Sequence, residues 1–348
     1  MMAFSLHFGC IRIVLESEHR SLTTTLNNRE ENLVITLSNG HQFEFMVASG
    51  ALAFDGYGWP WERPLAWAGL IKPHLFTVVI KSLTLKPRRG NLRWWKPWSC
   101  VRLLPNGSAV NKVGLTNPGI DWWCKKIGPK VDQKKLALVG SIFGDTDELV
   151  ECAKCLNDYD LVGLELNPSC PNTGHDFETT DAIVRGGEAV KKVSRHPIIV
   201  KLSVAQNYME TAKYLQGIAE AISLNSVPWE IVFPPDRTCV KNPLHRLVKK
   251  VGGGGGGVSG KLAQRHNWKA VEDLWMYSIP VIAPSIMEYE DIPRTKVLGA
   301  QAWSFGAIHL RTPWKPTSIV ERYRAERSKI LEQTEGATNG SYFDSKTR

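Results

Sequence analysis

Nothing in these 348 residues reads as a route out of the cell or into a membrane. The opening Met1-Met2-Ala3-Phe4-Ser5-Leu6-His7-Phe8-Gly9-Cys10 has no basic run and no small-residue cleavage site, which argues against a secretory signal. No apolar run approaches the roughly 20 residues that a spanning helix requires. The seven cysteines are odd in number and lack a secretory context, so free thiols in a reducing cytoplasm are expected. A metal site is lacking too. Cys152-Ala153-Lys154-Cys155 has redox-motif spacing but lies inside a helical pattern, with no second pair to complete a centre. What the chain does have is 43% hydrophobic content, enough to bury one large α/β domain or two ordinary ones.

The formal charge of +9 invites a nucleic-acid reading, sharpest at Lys86-Pro87-Arg88-Arg89-Gly90-Asn91-Leu92-Arg93-Trp94-Trp95-Lys96. No nucleic-acid motif accompanies that stretch. The simpler reading is a long loop over an anionic small-molecule site, packed down by its tryptophans, with no nucleic-acid partner.

Strand and helix patterns alternate along most of the chain. Candidate strands are Phe43–Ala48, Phe76–Ser82, Leu136–Ile142, Leu161–Asn167, Ile198–Leu202, Ala221–Ser226, Pro280–Ala283 and Ala302–Gly306. Several are continuous apolar runs, as parallel strands covered on both faces should be. Helical patterns fit Thr146–Asn157, Asp181–Ser194, Asn207–Glu220, Trp268–Tyr277 and Thr317–Gln333. The pattern predicts an α/β fold, a (β/α)8 TIM barrel over 31–333. Asn32–Phe45 reads as a small N-terminal β-hairpin around Ser38-Asn39-Gly40, capping the barrel floor. Ser82–Leu115 and Val227–Gly257 are long lid-type connections. Residues 1–30 read as an N-terminal extension without a recognisable element, and 334–348 as a flexible tail.

Chemistry is expected at the carboxyl ends of the strands. The strand Asp160–Leu166 runs into Asn167-Pro168-Ser169-Cys170-Pro171-Asn172, where two prolines end it and set two carboxamides around a thiol. A buried inert cysteine is the commoner fate of the residue, yet packing alone gives no reason for flanking amides. Strand one ends Ala48-Ser49-Gly50, small residues that let a flat ligand approach. Strand two ends Lys81-Ser82, strand five Lys201-Leu202-Ser203, and strand six Asn225-Ser226. Two lysines and three asparagines at one mouth fit an anionic ligand rich in carbonyl groups. Gly255-Gly256-Gly257-Val258-Ser259-Gly260-Lys261 leads into a helix and reads as a phosphate cradle rather than a linker. Strand eight ends Phe305-Gly306-Ala307, another place for close approach.

As an ordered set, these segments resemble the dihydroorotate dehydrogenases. Met46–Gly50, Ile80–Asn91, Asn111–Gly119, Glu165–Asn172, Val200–Ser203, Asn225-Ser226 and Gly256–Gly260 carry the resemblance, which runs from about Met46 to Arg324. It implies a TIM barrel binding FMN and oxidising dihydroorotate to orotate in pyrimidine synthesis. Cys170 would take the C5 proton while hydride passes from C6 to flavin N5. Cysteine there, rather than serine, resembles the soluble class 1 enzymes. Lys81, Asn111, Val113, Gly114, Leu115, Asn167, Asn172, Asn225 and Ser226 would meet the substrate. Ala48, Ser49, Gly50, Lys81, Ser82, Lys201, Gly257, Ser259, Gly260, Ser285, Gly306 and Ala307 would line the cofactor, with Lys81 between flavin and substrate and Lys201 at the flavin N1/O2 edge. A cytoplasmic homodimer is implied. With no cysteine cluster for its own iron–sulfur centre, an NAD-linked version would need an iron–sulfur flavoprotein partner.

The sequence departs from the family at Val281-Ile282-Ala283-Pro284-Ser285, where most members carry a Gly-Gly pair whose amides bind the flavin phosphate. Pro284 has no amide hydrogen. FMN is still expected, with Ser285 and the glycine run supplying donors. Alternatives are another flavin barrel acting on pyrimidines, of the dihydropyrimidine or tRNA dihydrouridine type, and a barrel that binds without catalysis.

Overall fold

The computed structural model describes residues 34–93, 95–168 and 179–343. Its first element is the expected hairpin, β1 (Ile35–Thr36) against β2 (Gln42–Phe43), antiparallel. Gly40 closes the turn at φ 84°, in the left-handed region that glycine enters without penalty. Asn39 donates its side-chain amide to the Val162 carbonyl (3.1 Å), and Ser38 donates to the Glu220 carboxylate, so the turn is tied to the barrel.

All eight apolar runs become strands of one closed parallel barrel. They are β3 (Phe45–Val47), β4 (Thr77–Val79), β7 (Leu138–Ile142), β8 (Gly163–Leu166), β9 (Ile198–Leu202), β10 (Ala221–Leu224), β13 (Val281–Ala283) and β14 (Ala302–Phe305). Each pairs in parallel with its sequence neighbours, and β14 closes on β3 with Trp303 opposite Phe45. This is the (β/α)8 architecture. Helices Thr146–Leu156, Thr180–Val193, Tyr208–Leu215, Lys261–Leu274, Asp291–Val297 and Lys315–Phe343 return the chain between strands or seal the last one. The first begins with a capping box, in which Asp145 accepts the Glu148 amide (2.8 Å) and Glu148 accepts the Asp145 amide (3.3 Å).

Alternate residues along each strand divide into two cores. Phe45, Val78, Leu138, Leu164, Val200, Ile222, Val281 and Trp303 face the helices. Met46, Val79, Val139, Ile199, Ala221, Ile282 and Ala302 fill the barrel interior, where Ile35, Leu37 and Phe43 of the hairpin join them. The hairpin therefore stoppers the floor with its own apolar side chains.

The remaining strands, β5 (Val101–Leu103), β6 (Ala109–Asn111), β11 (Val227–Pro228) and β12 (Gly257–Ser259), form a flanking antiparallel sheet in the order β11-β12-β6-β5. Both long connections contribute to it, and this corrects two expectations. The glycine run is not a free cradle, because Gly257–Ser259 is a central strand paired on both sides. Gly255 donates its amide to Glu230, and Lys112 donates to the Gly254 carbonyl (2.6 Å). Nor do the tryptophans pack the first loop down, since Trp95 and Trp98 are 66% and 52% exposed. Backbone contacts hold that loop instead. Asn91 donates to the Val113 carbonyl and Leu92 to the Thr116 hydroxyl, while a Cβ at Gly90 would stand 2.2 Å from the Thr116 hydroxyl. The last helix continues past Gln333 to Phe343, through much of the segment expected as a tail. Once nucleated, each further residue adds a hydrogen bond for little cost. The N-terminal extension lies outside the described residues.

The floor stopper makes a direct prediction. Leu37→Ala, which opens a void against the barrel interior, should lower stability by about 2–5 kcal/mol in urea unfolding, whereas Thr36→Ala on the exposed side of the same hairpin should change it little.

Candidate active site

Two residues further along each strand, the inward position changes character. Met46 is followed by Ala48, Val79 by Lys81, Val139 by Ser141 and Ile199 by Lys201. Ala221 gives way to Ser223, Ile282 to Pro284 and Ala302 to Ser304, while β8 contributes Glu165 at the same level. One pleat repeat, about 6.6 Å of rise, thus carries the interior from a dry apolar plug to a layer of small, hydroxyl and charged side chains near the barrel mouth.

Hydrogen bonds knit this layer across four adjacent strands. Glu165, 1% exposed, accepts from Lys201 Nζ (2.8 Å) and Ser141 Oγ (3.1 Å) on Oε1, and from Ser223 Oγ (3.0 Å) on Oε2. Lys201 is itself buried at 6% exposure. The strand register places Ser141 opposite Glu165 and Ser223 opposite Lys201, which is why these side chains meet. Having donated its proton to Glu165, Ser141 accepts from Ser82 Oγ (2.8 Å). Ser82 Oγ also accepts from Asn167 Nδ2 (3.0 Å) and lies 3.0 Å from Ser49 Oγ, which contacts the Ile80 carbonyl at 2.9 Å. A polar chain therefore links Ser49, Ser82, Asn167, Glu165 and Lys201, four of which the sequence nominated.

The other nominated residues surround this chain. Lys81 is half-buried, with its stem 3.6 Å from where a Cβ on Gly50 would stand. Gly50 takes φ 84°, so the strand-one turn needs glycine. Ala48 and Gly306 face each other closely, a Cβ on Gly306 falling 3.3 Å from that of Ala48. Asn111 spends its amide on the Gly257 carbonyl (3.3 Å) and so braces the flanking sheet. Val113, Gly114 and Leu115 form a tight turn in which Leu115 adopts φ 55° and packs on Phe143. Asn117 holds that turn, donating to the Leu115 carbonyl (2.7 Å) and accepting from Gly119 (2.8 Å). Asn225 accepts the Ser226 amide (2.8 Å). Ser259 is half-buried in β12, and Gly260 starts the following helix pressed on Ser108, with 2.9 Å to a hypothetical Cβ. Cys170 and Asn172 lie outside the described residues.

The turn after β13 is braced from the helix Lys261–Leu274. Trp268 Nε1 donates to the Pro284 carbonyl (3.1 Å), Gln264 to the Ser285 carbonyl (3.0 Å), and Asn267 to Ser285 Oγ (3.3 Å). Ser285 sits at φ 64°, where glycine is the usual occupant. Buried polar atoms without partners gather on this side: Asn267 Oδ1, and both ring nitrogens of His309 in the turn Ala307–Leu310 after β14. Burial alone pushes the His309 pKa down to about 4, so the ring is neutral at pH 7.

A sequence profile described as "Dihydroorotate dehydrogenase" matches residues 63–304. The chain belongs to the dihydroorotate dehydrogenase family, a family of oxidoreductases. It is 30% identical over 279 residues to "Dihydroorotate dehydrogenase B (NAD(+)), catalytic subunit" of Maridesulfovibrio salexigens, covering 77% of this chain and 85% of the relative. The protein of that description from Desulforudis audaxviator is 30% identical over 297 residues, at 81% and 89% coverage. "Putative dihydroorotate dehydrogenase A (fumarate)" of Aquifex aeolicus is 29% identical over 261 residues, at 71% and 80%. The crystal structure of the Eimeria tenella dihydroorotate dehydrogenase in complex with ferulenol shares the fold, with a TM-score of 0.62, 18% identity, and coverage of 87% of this chain and 85% of that one.

Glu165, Ser141 and Ser223 were not nominated from the sequence of this dihydroorotate dehydrogenase relative. One signal was present, a carboxylate within an apolar strand two residues before Asn167, balanced by a lysine within another apolar strand. His309 gave no signal, because its importance lies in what surrounds it. Its titration is testable. With a folded pKa near 4 against 6.5 unfolded, the unfolded chain binds the extra proton between those values, so stability is lost as pH falls through that window. His309→Phe should therefore reduce the acid-side loss by roughly 3 kcal/mol, read as the difference in urea stability between pH 7 and pH 4 for variant and wild type.

Proposed function

We propose that the chain oxidises dihydroorotate to orotate using FMN seated on the polar layer of the barrel mouth. The observation that carries this reading is the buried Lys201–Glu165 pair, joined through hydroxyls to Ser82, Ser49 and Asn167 in a chain of this family. The residues present fit the cofactor. Ala48, Gly50 and Gly306 leave room for a flat ring, Lys81 and Lys201 supply cationic donors, and unpartnered polar atoms lie beside the turns after β13 and β14. Bound there, FMN would supply the hydride-accepting chemistry that no side chain of this protein has.

The protein's part is to bind, orient and take a proton. Lys201 and Lys81 place positive charge where the reaction develops negative charge. Asn167, together with Asn172 and Asn225, would hold the carbonyls of the substrate ring, and Lys81 its anionic side. Cys170, just beyond Asn167 and Pro168 on the chain, would remove the C5 proton as a thiolate. The described thiols suit that task poorly: burial pushes Cys100 up to about 11 and Cys152 up to about 12, and raises Cys124 and Cys155 as well. At the phosphate end, the Ser285 hydroxyl and amide would stand in for the donor missing at Pro284.

Electrons would leave through a partner flavoprotein, as the description "catalytic subunit" for the NAD-linked relatives suggests. The exposed Trp95, Trp98 and Leu103 on the flanking sheet and its loop give such a subunit an apolar face to meet.

Three results test the reading. Purified protein should be yellow and bleach anaerobically on adding dihydroorotate, at a rate that rises with pH toward roughly 8.5, the range of an ordinary thiol. Colourless protein that takes up no FMN would instead favour a barrel that binds without catalysis. Cys170→Ala should bleach at least about 100-fold more slowly, and equal rates would remove the assigned base. Pro284→Gly, which restores an amide donor, should lower the FMN dissociation constant about fivefold, matching about 1 kcal/mol for one recovered hydrogen bond.

A further inference from the structure

The polar layer carries two ammonium groups, Lys81 and Lys201, and one carboxylate, Glu165, leaving one net positive charge. Glu165 is not at the rim. It lies on β8 one pleat repeat below Asn167, almost wholly buried, with both oxygens engaged by donors from three neighbouring strands. A carboxylate in this position cannot trade its partners for water, and the lysine opposite is nearly as enclosed. Removing either charge leaves the other buried without compensation.

We propose that Glu165 is a positioning residue that anchors Lys201 and holds the layer at a single net positive charge, and so sets the reduction potential of the cofactor placed there. The inference rests on the proposed function, which seats FMN on this layer. The ammonium of Lys201 has three hydrogens, and one is committed to Glu165 Oε1, so its direction within the barrel is fixed before any ligand arrives. Ser141 and Ser223 hold the carboxylate in turn from β7 and β10, leaving Glu165 no freedom to swing away. The cofactor gains electrons on reduction, so positive charge beneath it favours the reduced form and negative charge opposes it. With both lysines uncompensated the layer would over-stabilise the reduced form and hinder passage of electrons to the acceptor. With Lys201 missing, the balance would tip the other way.

Charge counting predicts the outcome of a variant series on FMN-loaded protein. Glu165→Gln leaves two net positive charges, so the midpoint potential of the bound cofactor should rise. A tenfold shift toward the reduced form corresponds to about 30 mV for a two-electron couple. Lys201→Met leaves none, and the potential should fall. The double variant Glu165→Gln/Lys201→Met regains one, and its potential should lie close to wild type. A residue that only supported the fold would not move the potential in opposite directions and then restore it. A Glu165→Gln potential at or below wild type overturns the proposal, as does a double variant no nearer wild type than Lys201→Met.

A second measurement uses the apoprotein. Glu165→Gln should lower the thermal midpoint by about 5 °C or more, and adding Lys201→Met should recover part of that loss, since the stranded ammonium is gone. No recovery would mean that the two side chains are not coupled, and would sink the proposal. Should Glu165→Gln alone fail to fold, Lys201→Met and the double variant still provide the comparison of potentials. Wild-type protein that takes up no FMN overturns this inference along with the reading beneath it. Wild-type protein that is yellow, with a potential unmoved in the variants, overturns this inference alone.

Discussion

A buried carboxylate facing a buried ammonium is expensive to assemble, and the arrangement of this barrel follows from having to assemble one. Taking both ions out of water costs several kcal/mol each unless good geometry and further hydrogen bonds compensate. Glu165 and Lys201 meet the condition because adjacent parallel strands in fixed register bring Ser141 and Ser223 to the same carboxylate. Register in a closed barrel cannot slip without turning every inward residue outward. The apolar plug below is what makes a slip costly. Met46, Val79, Val139, Ile199, Ala221, Ile282 and Ala302, sealed by Ile35, Leu37 and Phe43, hold the strands in the one register at which the ions meet.

The flanking sheet extends the same logic outward. Loops of this length cost little in chain entropy to close, but they position side chains only where their backbones are paired. Here β6 and β12 pair with each other, and Lys112 and Glu230 tie the glycine run to that sheet. Gly256 and Gly260 are required where the backbones crowd, their hypothetical Cβ atoms falling 2.5 Å from the Asn111 carbonyl and 2.9 Å from Ser108. These glycines serve the joint between the loops before they could serve a ligand.

Most of the barrel was legible in the sequence. Strands buried on both faces read as continuous apolar runs, and eight such runs in alternation with helices leave little choice of fold. The hairpin was legible from Ser38-Asn39-Gly40, and Lys81, Asn167 and Lys201 from their positions at strand ends. The flanking sheet was not, because Gly257–Ser259 finds its partners at Ala109–Asn111, far away in the chain. Glycine density looks the same whether a backbone is bare or paired, so local composition suggested a cradle where there is a strand. The tryptophan loop misled in a similar way. Aromatic residues commonly mean packing, but Trp95 and Trp98 face outward while Gly90, Asn91 and Leu92 dock the loop. Glu165 was overlooked because its meaning depends on strand register, which a linear reading does not contain.

The turn after β13 shows how a chain can lose a glycine and a donor and keep the shape they served. Proline at 284 fixes one backbone angle and deletes an amide hydrogen. Serine at 285 then occupies a left-handed conformation that costs on the order of 1–2 kcal/mol for a residue with a side chain. Neither would persist in a loop free to relax. Trp268 and Gln264 each bond a carbonyl of the turn, Asn267 bonds the serine hydroxyl, and Asp291 accepts the amides of Met287 and Glu288 at 2.9 and 3.0 Å. The helix Lys261–Leu274 thus supplies from its side chains the conformational constraint that a glycine would have met by permissiveness. Because the brace converges on the serine hydroxyl and on the two carbonyls, it leaves the Ser285 amide as the turn's natural donor. That is the group an anion arriving at this end of the barrel would have to use.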